Sequence, residues 1–419
     1  MQRKLDLRTG IPVWNAYRAP RVPTQRLARD VKCDVLVVGL GISGAMIAEA
    51  LTAQGLSVIG VDRRGIMLGS TPATTALVQF EIDQPLSELG RQIGQADAAQ
   101  AWRRSRLAVT NLRGRIRELG IRCDMMTAAS LYLAGDVLDP TELREEAEVR
   151  AGIGIRATYL TPTVLKETFG IARKGAILSQ DNLALDPRKL TAGLLKKTLE
   201  RKARFYAPVE VIALAPESDG VGVETRDGPS IAARHVVLAT GYELLDMVPS
   251  DTHSIISTYA IATKPQKGKL WPGGAMIWEA SDPYLYMRAT ADGRVICGGE
   301  DEDFADEQSR DSLLADKARM LSGKLKALFP QLDTRAEFAW TGSFGTTTTG
   351  LPYIGELPGY PGIFAAQGYG GNGITYSQIA SELIATAIAG GEDGDTRLFA
   401  FDRTSMMRRL TDMAGKLVG

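Results

Sequence analysis

The sequence predicts an α/β fold with a Rossmann-like βαβ unit near its start. Three observations predict it. The run Asp34-Val35-Leu36-Val37-Val38 is short and β-branched, the pattern of a buried parallel strand. The stretch VVGLGISGAMIAEAL, residues 37–51, then passes through glycines into helix-forming residues. A second apolar run, Leu56-Ser57-Val58-Ile59-Gly60-Val61, ends on Asp62. Strand, glycine turn, helix and strand together fit within about 30 residues, the size of a βαβ unit.

Within GLGISG the spacing of Gly39, Gly41 and Gly44 has a physical reason. The first glycine makes the tight turn, the second lets a pyrophosphate approach the backbone, and the third lets helix and strand pack closely. The helix start, with Ser43 in its first turn, offers free N–H groups and a positive dipole end to phosphates. Asp62 stands where a ribose hydroxyl could donate to it. A glycine turn in another α/β fold would read similarly, and the motif by itself does not choose between NAD and FAD.

Composition narrows the class. The chain has 419 residues, too many for one core, so two domains are expected. Hydrophobic residues make up 44% and charged residues 23%, as in globular proteins. Lys+Arg and Asp+Glu are both 49, which gives no electrostatic reason to expect nucleic acid or an anionic membrane as a partner. Glycines break the longest apolar run, residues 35–48, so no membrane span is expected. Cys33, Cys123 and Cys297 are scattered and only His235 and His253 are present, so no metal site is expected and a reducing, cytoplasmic setting fits. Residues 1–32 lean basic and carry Trp14 and three prolines. They read as an extended arm over the first domain, or as a solvated tail.

The later elements follow the same logic. Residues 232–241 form an apolar strand closing on Ala239-Thr240-Gly241. Residues 351–388, LPYIGELPGYPGIFAAQGYGGNGITYSQIASELIATAI, place a glycine cluster before a helix with Ile379, Leu383, Ile384 and Ile388 at helical spacing. Residues 96–119 carry Ala101, Leu107, Val109, Leu112, Ile116 and Leu119 near that spacing. Met276-Ile277-Trp278, Tyr284–Arg288 and Arg294–Cys297, with a turn at Ala291-Asp292-Gly293, read as an antiparallel sheet.

GLGISG with Asp62, the central LATG and the C-terminal LPYIG…GYGGNGIT, in this order and spacing, resemble the FAD-dependent D-amino-acid oxidase superfamily. Glycine, sarcosine and γ-glutamylputrescine oxidases belong to it. The resemblance runs from about residue 33 to 395, and GSTPATTALVQFEID, residues 69–83, resembles the second FAD segment. It implies a Rossmann-like FAD-binding domain of the glutathione-reductase type, with an inserted α+β substrate domain on an antiparallel sheet. The expected limits are 33–95, 180–250 and 335–419 for the FAD domain, and 96–179 and 251–334 for the substrate domain.

The resemblance also implies residue roles. Gly39, Gly41, Ser43, Gly44 and Asp62 go to the pyrophosphate and adenosine ribose. Ser70 and Thr71 go to the phosphates, and Thr74, Thr75 and Leu77 run beside the flavin. Thr240 and Gly241 lie near the cofactor, and Gly371, Asn372, Gly373 and Ile374 line the flavin pyrimidine. Arg63 either helps the adenine end or is solvated. Val209 either reads the adenine edge through its backbone or is plain strand core. No histidine or cysteine has the neighbours of a covalent flavin link, so FAD is expected to bind noncovalently.

One departure matters. Glycine and D-amino-acid oxidases keep an arginine shortly before the LPYIG-like motif to hold the substrate carboxylate. Phe344 stands at that register in WTGSFGTTTTGLPYIG, residues 340–355, and cannot provide a bidentate fork. Arg288 and Tyr286, two apart on one strand, are the alternative pocket pair, with Arg288 either binding an anion or facing solvent. The implied activity is oxidation of a C–N bond of an amino acid, amine or N-alkyl amine. A hydride passes to flavin N5, water hydrolyses the imine, and oxygen or another acceptor takes the electrons. A flavin hydroxylase, a dehydrogenase of another substrate class and a non-catalytic, subunit-type flavoprotein stay as alternatives.

Overall fold

The β-branched run is the strand Val31–Val38, inside a mostly parallel sheet of a computed structural model that describes residues 4–18, 20–250 and 253–403. Val35, Leu36 and Val37 are fully buried, as a strand covered on both faces requires. It pairs in parallel with Val58–Val61 on one side and Ile231–Leu238 on the other. Arg204–Tyr206 extends the sheet beyond Val58–Val61, and Ile363–Gln367 and Tyr353–Glu356 extend it at the other end. Helices Ile42–Ala53, Pro187–Glu200 and Gly373–Ile388 pack in one core that covers this sheet.

A second sheet has ten strands, antiparallel except where Met276–Glu279 meets Met126–Leu133. Its long central pair is His253–Thr263 with Ala336–Thr347, whose register sets Ile256 opposite Phe344. Leu285–Ala289 pairs with Val295–Glu302 through the turn at Gly293, as the sequence predicts.

Several expected boundaries move. Ala336–Thr347 and Ala176–Ala184 belong to the antiparallel sheet, whereas the expected limits place residues 335–419 and 180–250 with the cofactor domain. Helix Gln95–Glu118, expected in the inserted domain, packs against Gly373–Ile388 and joins the core of the cofactor sheet. Its buried face holds Ala101, Val109, Leu112 and Ile116, whereas Leu107 points outward and is 47% exposed. His253 opens the strand His253–Thr263; the preceding residues 251–252 are outside the described range.

The N-terminal arm is not a solvated tail. Arg8–Gly10 pairs with Ala336–Thr347, Trp14 is buried, and Gln25 bridges to Tyr206. The arm therefore ties both sheets together. Charge pattern alone could not show this, because the pairing is between backbone groups 300 and more residues apart in sequence.

Candidate active site

The glycine turn shows why each glycine is there. Gly39 has φ 104°, and a Cβ on it would meet the Ala239 carbonyl oxygen at 2.3 Å. A Cβ on Gly44 would lie 1.9 Å from the Gly39 carbonyl oxygen, so the helix can cross the strand closely only without one. Gly41 stands at the helix N-cap, and no acid occupies the first turn of Ile42–Ala53. The Ile42 amide donates to Thr71 Oγ1 at 3.0 Å, which fastens the second predicted segment to the helix start. Ser43 and Ser377 share a 2.7 Å hydrogen bond that joins two helix starts at the same cleft.

Asp62 holds the turn from the other side. Its Oδ2 accepts from the Leu40 amide at 2.9 Å, and its Oδ1 from the Arg64 and Gly65 amides at 2.8 Å each. A carboxylate has about four acceptor positions, so one remains for a ligand hydroxyl. Arg63 is not a solvated arginine: it and Arg64 both pair with Glu243, which also accepts from the Leu5 amide at 2.7 Å. Val209 is both core and cleft wall. Its amide donates to the Asp62 carbonyl at 2.9 Å.

One continuous cleft receives almost all the residues singled out in the sequence. Gly39, Gly41, Ser43, Asp62 and Arg63 line one end, with Val209, Thr240 and Gly241. Ser70, Thr71, Thr74, Thr75 and Leu77 form its middle wall, facing Gly371, Asn372, Gly373 and Ile374. Tyr286 and Phe344 line the far end. Gly44 lies outside the lining because its role is packing.

Arg288 is a correction. It neither lines the cleft nor faces solvent, and is 2% exposed. Its Nε donates to the Thr75 carbonyl at 2.8 Å and its Nη2 to the Leu185 carbonyl at 2.9 Å, with Trp14 stacked 5.3 Å from the guanidinium. Burial pushes its pKa down to about 10. The strand alternation was right, but the segment 73–76 lies between the guanidinium and the cleft.

Sequence reasoning missed Leu7, Gln79, Asp83, Thr258, Trp278, Tyr284 and Tyr369, all of which line the cleft. Asp83 and Gln79 stood inside the quoted second segment, where their alternation with apolar neighbours was a usable signal. Leu7 had none, since it arrives through the arm.

The lining fits a dinucleotide. Ser70 Oγ and Gln79 Nε2 are buried in the wall without a hydrogen-bond partner in the protein, which marks polar atoms awaiting a ligand. A glycine turn, a bare helix start and the cleft-lining carboxylate of Asp62 complete the set. Fold and cleft thus define a dinucleotide-binding protein. The chain belongs to the FAD dependent oxidoreductase family, DAO, whose model matches residues 34–387, and its cofactor is FAD. It is 24% identical to "Probable oxidoreductase OrdL" of Haemophilus influenzae, covering 88% of this chain and 85% of that protein. It is 25% identical to gamma-glutamylputrescine oxidoreductase of Escherichia coli, covering 88% and 86%. The solved glycine oxidase of Geobacillus kaustophilus shares the fold with a TM-score of 0.70 at 22% identity, covering 87% of this chain and 96% of that one.

Proposed function

We propose that this protein oxidises the C–N bond of an amine, N-alkyl amine or amino acid, with hydrolysis of the resulting imine by water. The observation that carries the reading is the continuity of the cleft. The same cavity that begins at Gly39 and Asp62 ends at Trp278, Tyr284, Tyr286 and Phe344. A non-catalytic flavoprotein has no need of a second, aromatic compartment beyond its cofactor cradle. The names of the glycine and gamma-glutamylputrescine relatives support C–N chemistry.

Bound FAD supplies the two-electron acceptor for the carbon–hydrogen bond beside nitrogen. The chain's own residues supply placement. Asp62 and the first helix start hold the dinucleotide end. The helix Gly373–Ile388 aims its positive end at the cleft, where it favours negative charge on the reduced ring. Tyr286 and Phe344 give an apolar wall for the carbon portion of the substrate and exclude water from it. The reading takes FAD as noncovalently bound; among the described residues no histidine or cysteine lines the cleft. Among the described residues no helix is long and apolar enough to cross a membrane, and three free cysteines fit a reducing cytoplasm.

The electron acceptor is oxygen or a separate carrier. Oxygen uptake with peroxide release, measured across a panel of amines and amino acids with and without a quinone or dye acceptor, tests both the reaction and the acceptor. Turnover of substrates lacking nitrogen, with none on amines, would replace this reading by another oxidation.

A further inference from the structure

The aromatic end of the cleft is acidic. Arg63 and Arg64 are the only lysine, arginine or histidine residues lining the cleft among the described residues, and both pair with Glu243, which lines the cleft with them. Apart from Asp62, Arg63, Arg64, Glu210 and Glu243, the one charged residue lining the cleft among the described residues is Asp83, on the Gly371–Asn372 wall and close enough to Tyr284 to act on its hydroxyl. Its Oδ2 accepts from the Gly371 amide at 2.8 Å and its Oδ1 more weakly from Asn372 Nδ2 at 3.4 Å. Among the described residues no cation pairs with it. It is open to the cleft yet enclosed by protein on its other sides, and that enclosure raises its pKa.

Three further observations bear on what could meet this carboxylate. Asp301 stands behind the wall, with the Thr258 and Tyr284 hydroxyls facing it and no hydrogen bond closed to either of its oxygens. Trp278, 7% exposed, lines the cavity with an unpartnered Nε1 and stacks on Tyr132 at 3.8 Å. Tyr284 and Tyr286, with ring centroids 5.5 Å apart, complete an electron-rich wall. Ring faces attract cations, and an uncompensated carboxylate beside them does so more strongly. The same field repels a substrate carboxylate, and Arg288 is not there to receive one.

We propose that the substrate carries a protonated amine distant from the carbon to be oxidised and no carboxylate, so that its class is a diamine or polyamine. Asp83 is the specificity-determining anion that receives the distal ammonium, and Trp278, Tyr284 and Tyr286 flank it. This rests on reading the cleft as a site of C–N oxidation, but its test separates the two.

The FAD-loaded protein is titrated anaerobically with cadaverine, pentylamine and δ-aminovalerate, which share a five-carbon chain and differ at one end. Perturbation of the oxidised flavin band reports binding; bleaching of that band reports chemistry. A charged hydrogen bond corresponds to roughly tenfold to a hundredfold in affinity. Cadaverine should therefore bind at least about tenfold more tightly than the other two. Asp83→Asn, which keeps an acceptor for the Gly371 amide, should bring cadaverine down to the pentylamine level. The wild-type trio decides the matter if that variant does not fold. Equal or tighter binding of δ-aminovalerate, no binding of cadaverine, or cadaverine affinity unaltered by Asp83→Asn overturns the proposal. Asp83-dependent binding without bleaching would support the ligand class and overturn the C–N reading instead.

Discussion

The guanidinium of Arg288 donates to the backbone carbonyl of Thr75 at 2.8 Å, from behind the wall of the cofactor cleft. Trp14 reaches the same segment, donating to the Thr74 carbonyl at 2.7 Å, and Trp340 donates to the Ala73 carbonyl at 2.8 Å. Three side chains from three distant parts of the chain thus set the backbone of residues 73–75, whose other face lines the cleft.

Arg288→Met should therefore act on stability and FAD retention before substrate. Each buried carbonyl left unpaired costs about 1–3 kcal/mol. Thermal unfolding of the holoprotein should shift down by several degrees, with weaker FAD binding and unchanged preference among amines. An unshifted melting temperature with lost substrate affinity would return Arg288 to the substrate pocket.

Asp62→Ala removes the acceptor for three backbone amides and for a ribose hydroxyl. FAD affinity of the apoprotein, followed by flavin fluorescence, should fall roughly tenfold to a hundredfold. Wild-type affinity would dismiss its cofactor role.

Gly44→Ala tests the close crossing of helix and strand. The added Cβ cannot be accommodated 1.9 Å from the Gly39 carbonyl oxygen without moving the helix. Overpacking of this kind costs about 1–3 kcal/mol, and FAD loading should fall with it. A variant that loads and melts like the wild type would show that the turn tolerates a side chain.

Asp301 gives the account a pH signature. Burial is the main cause that pushes its carboxyl up to about 6, and the nearby Asp83 carboxylate adds to this. The Thr258 and Tyr284 hydroxyls and Lys317 act in the opposite direction. Between about pH 4 and pH 6 the folded protein binds more protons at this group than the unfolded chain does, so its contribution to stability is lost as pH rises through that window. Asp301→Asn should be more stable than wild type at pH 8, by about 1–3 kcal/mol, and lose that advantage by about pH 4. Melting profiles of the two proteins that run parallel across pH would place the Asp301 pKa at its ordinary value.

What the sequence reveals here follows from how local each signal is. The turn at Gly39–Gly44, the acid at Asp62 and the glycine cluster at 370–373 are legible because each encodes a backbone demand within a few residues. Strand alternation put Tyr286 and Arg288 on one side correctly, yet could not reveal that residues 73–76 lie between Arg288 and the cavity. Sheet membership is hidden for a related reason. Ala336–Thr347 pairs with His253–Thr263, and that long-range partner moves it to the antiparallel sheet despite its proximity to the LPYIG motif. The arm's contribution of Leu7 and Trp14 is written only in tertiary pairing.

Noncovalent attachment is checked by denaturing the yellow holoprotein and precipitating the polypeptide. FAD should stay in the supernatant. Flavin that remains with the precipitate would identify a covalent link to one of the lining side chains.

The central claim is that this cleft oxidises a carbon–nitrogen bond. An anaerobic single turnover of the FAD-loaded protein, with trapping of the carbonyl product, tests it most directly. An amine should bleach the flavin, with one carbonyl compound and one ammonia or alkylamine released for each flavin reduced. A flavin that dithionite bleaches but that no amine or amino acid reduces would contradict it.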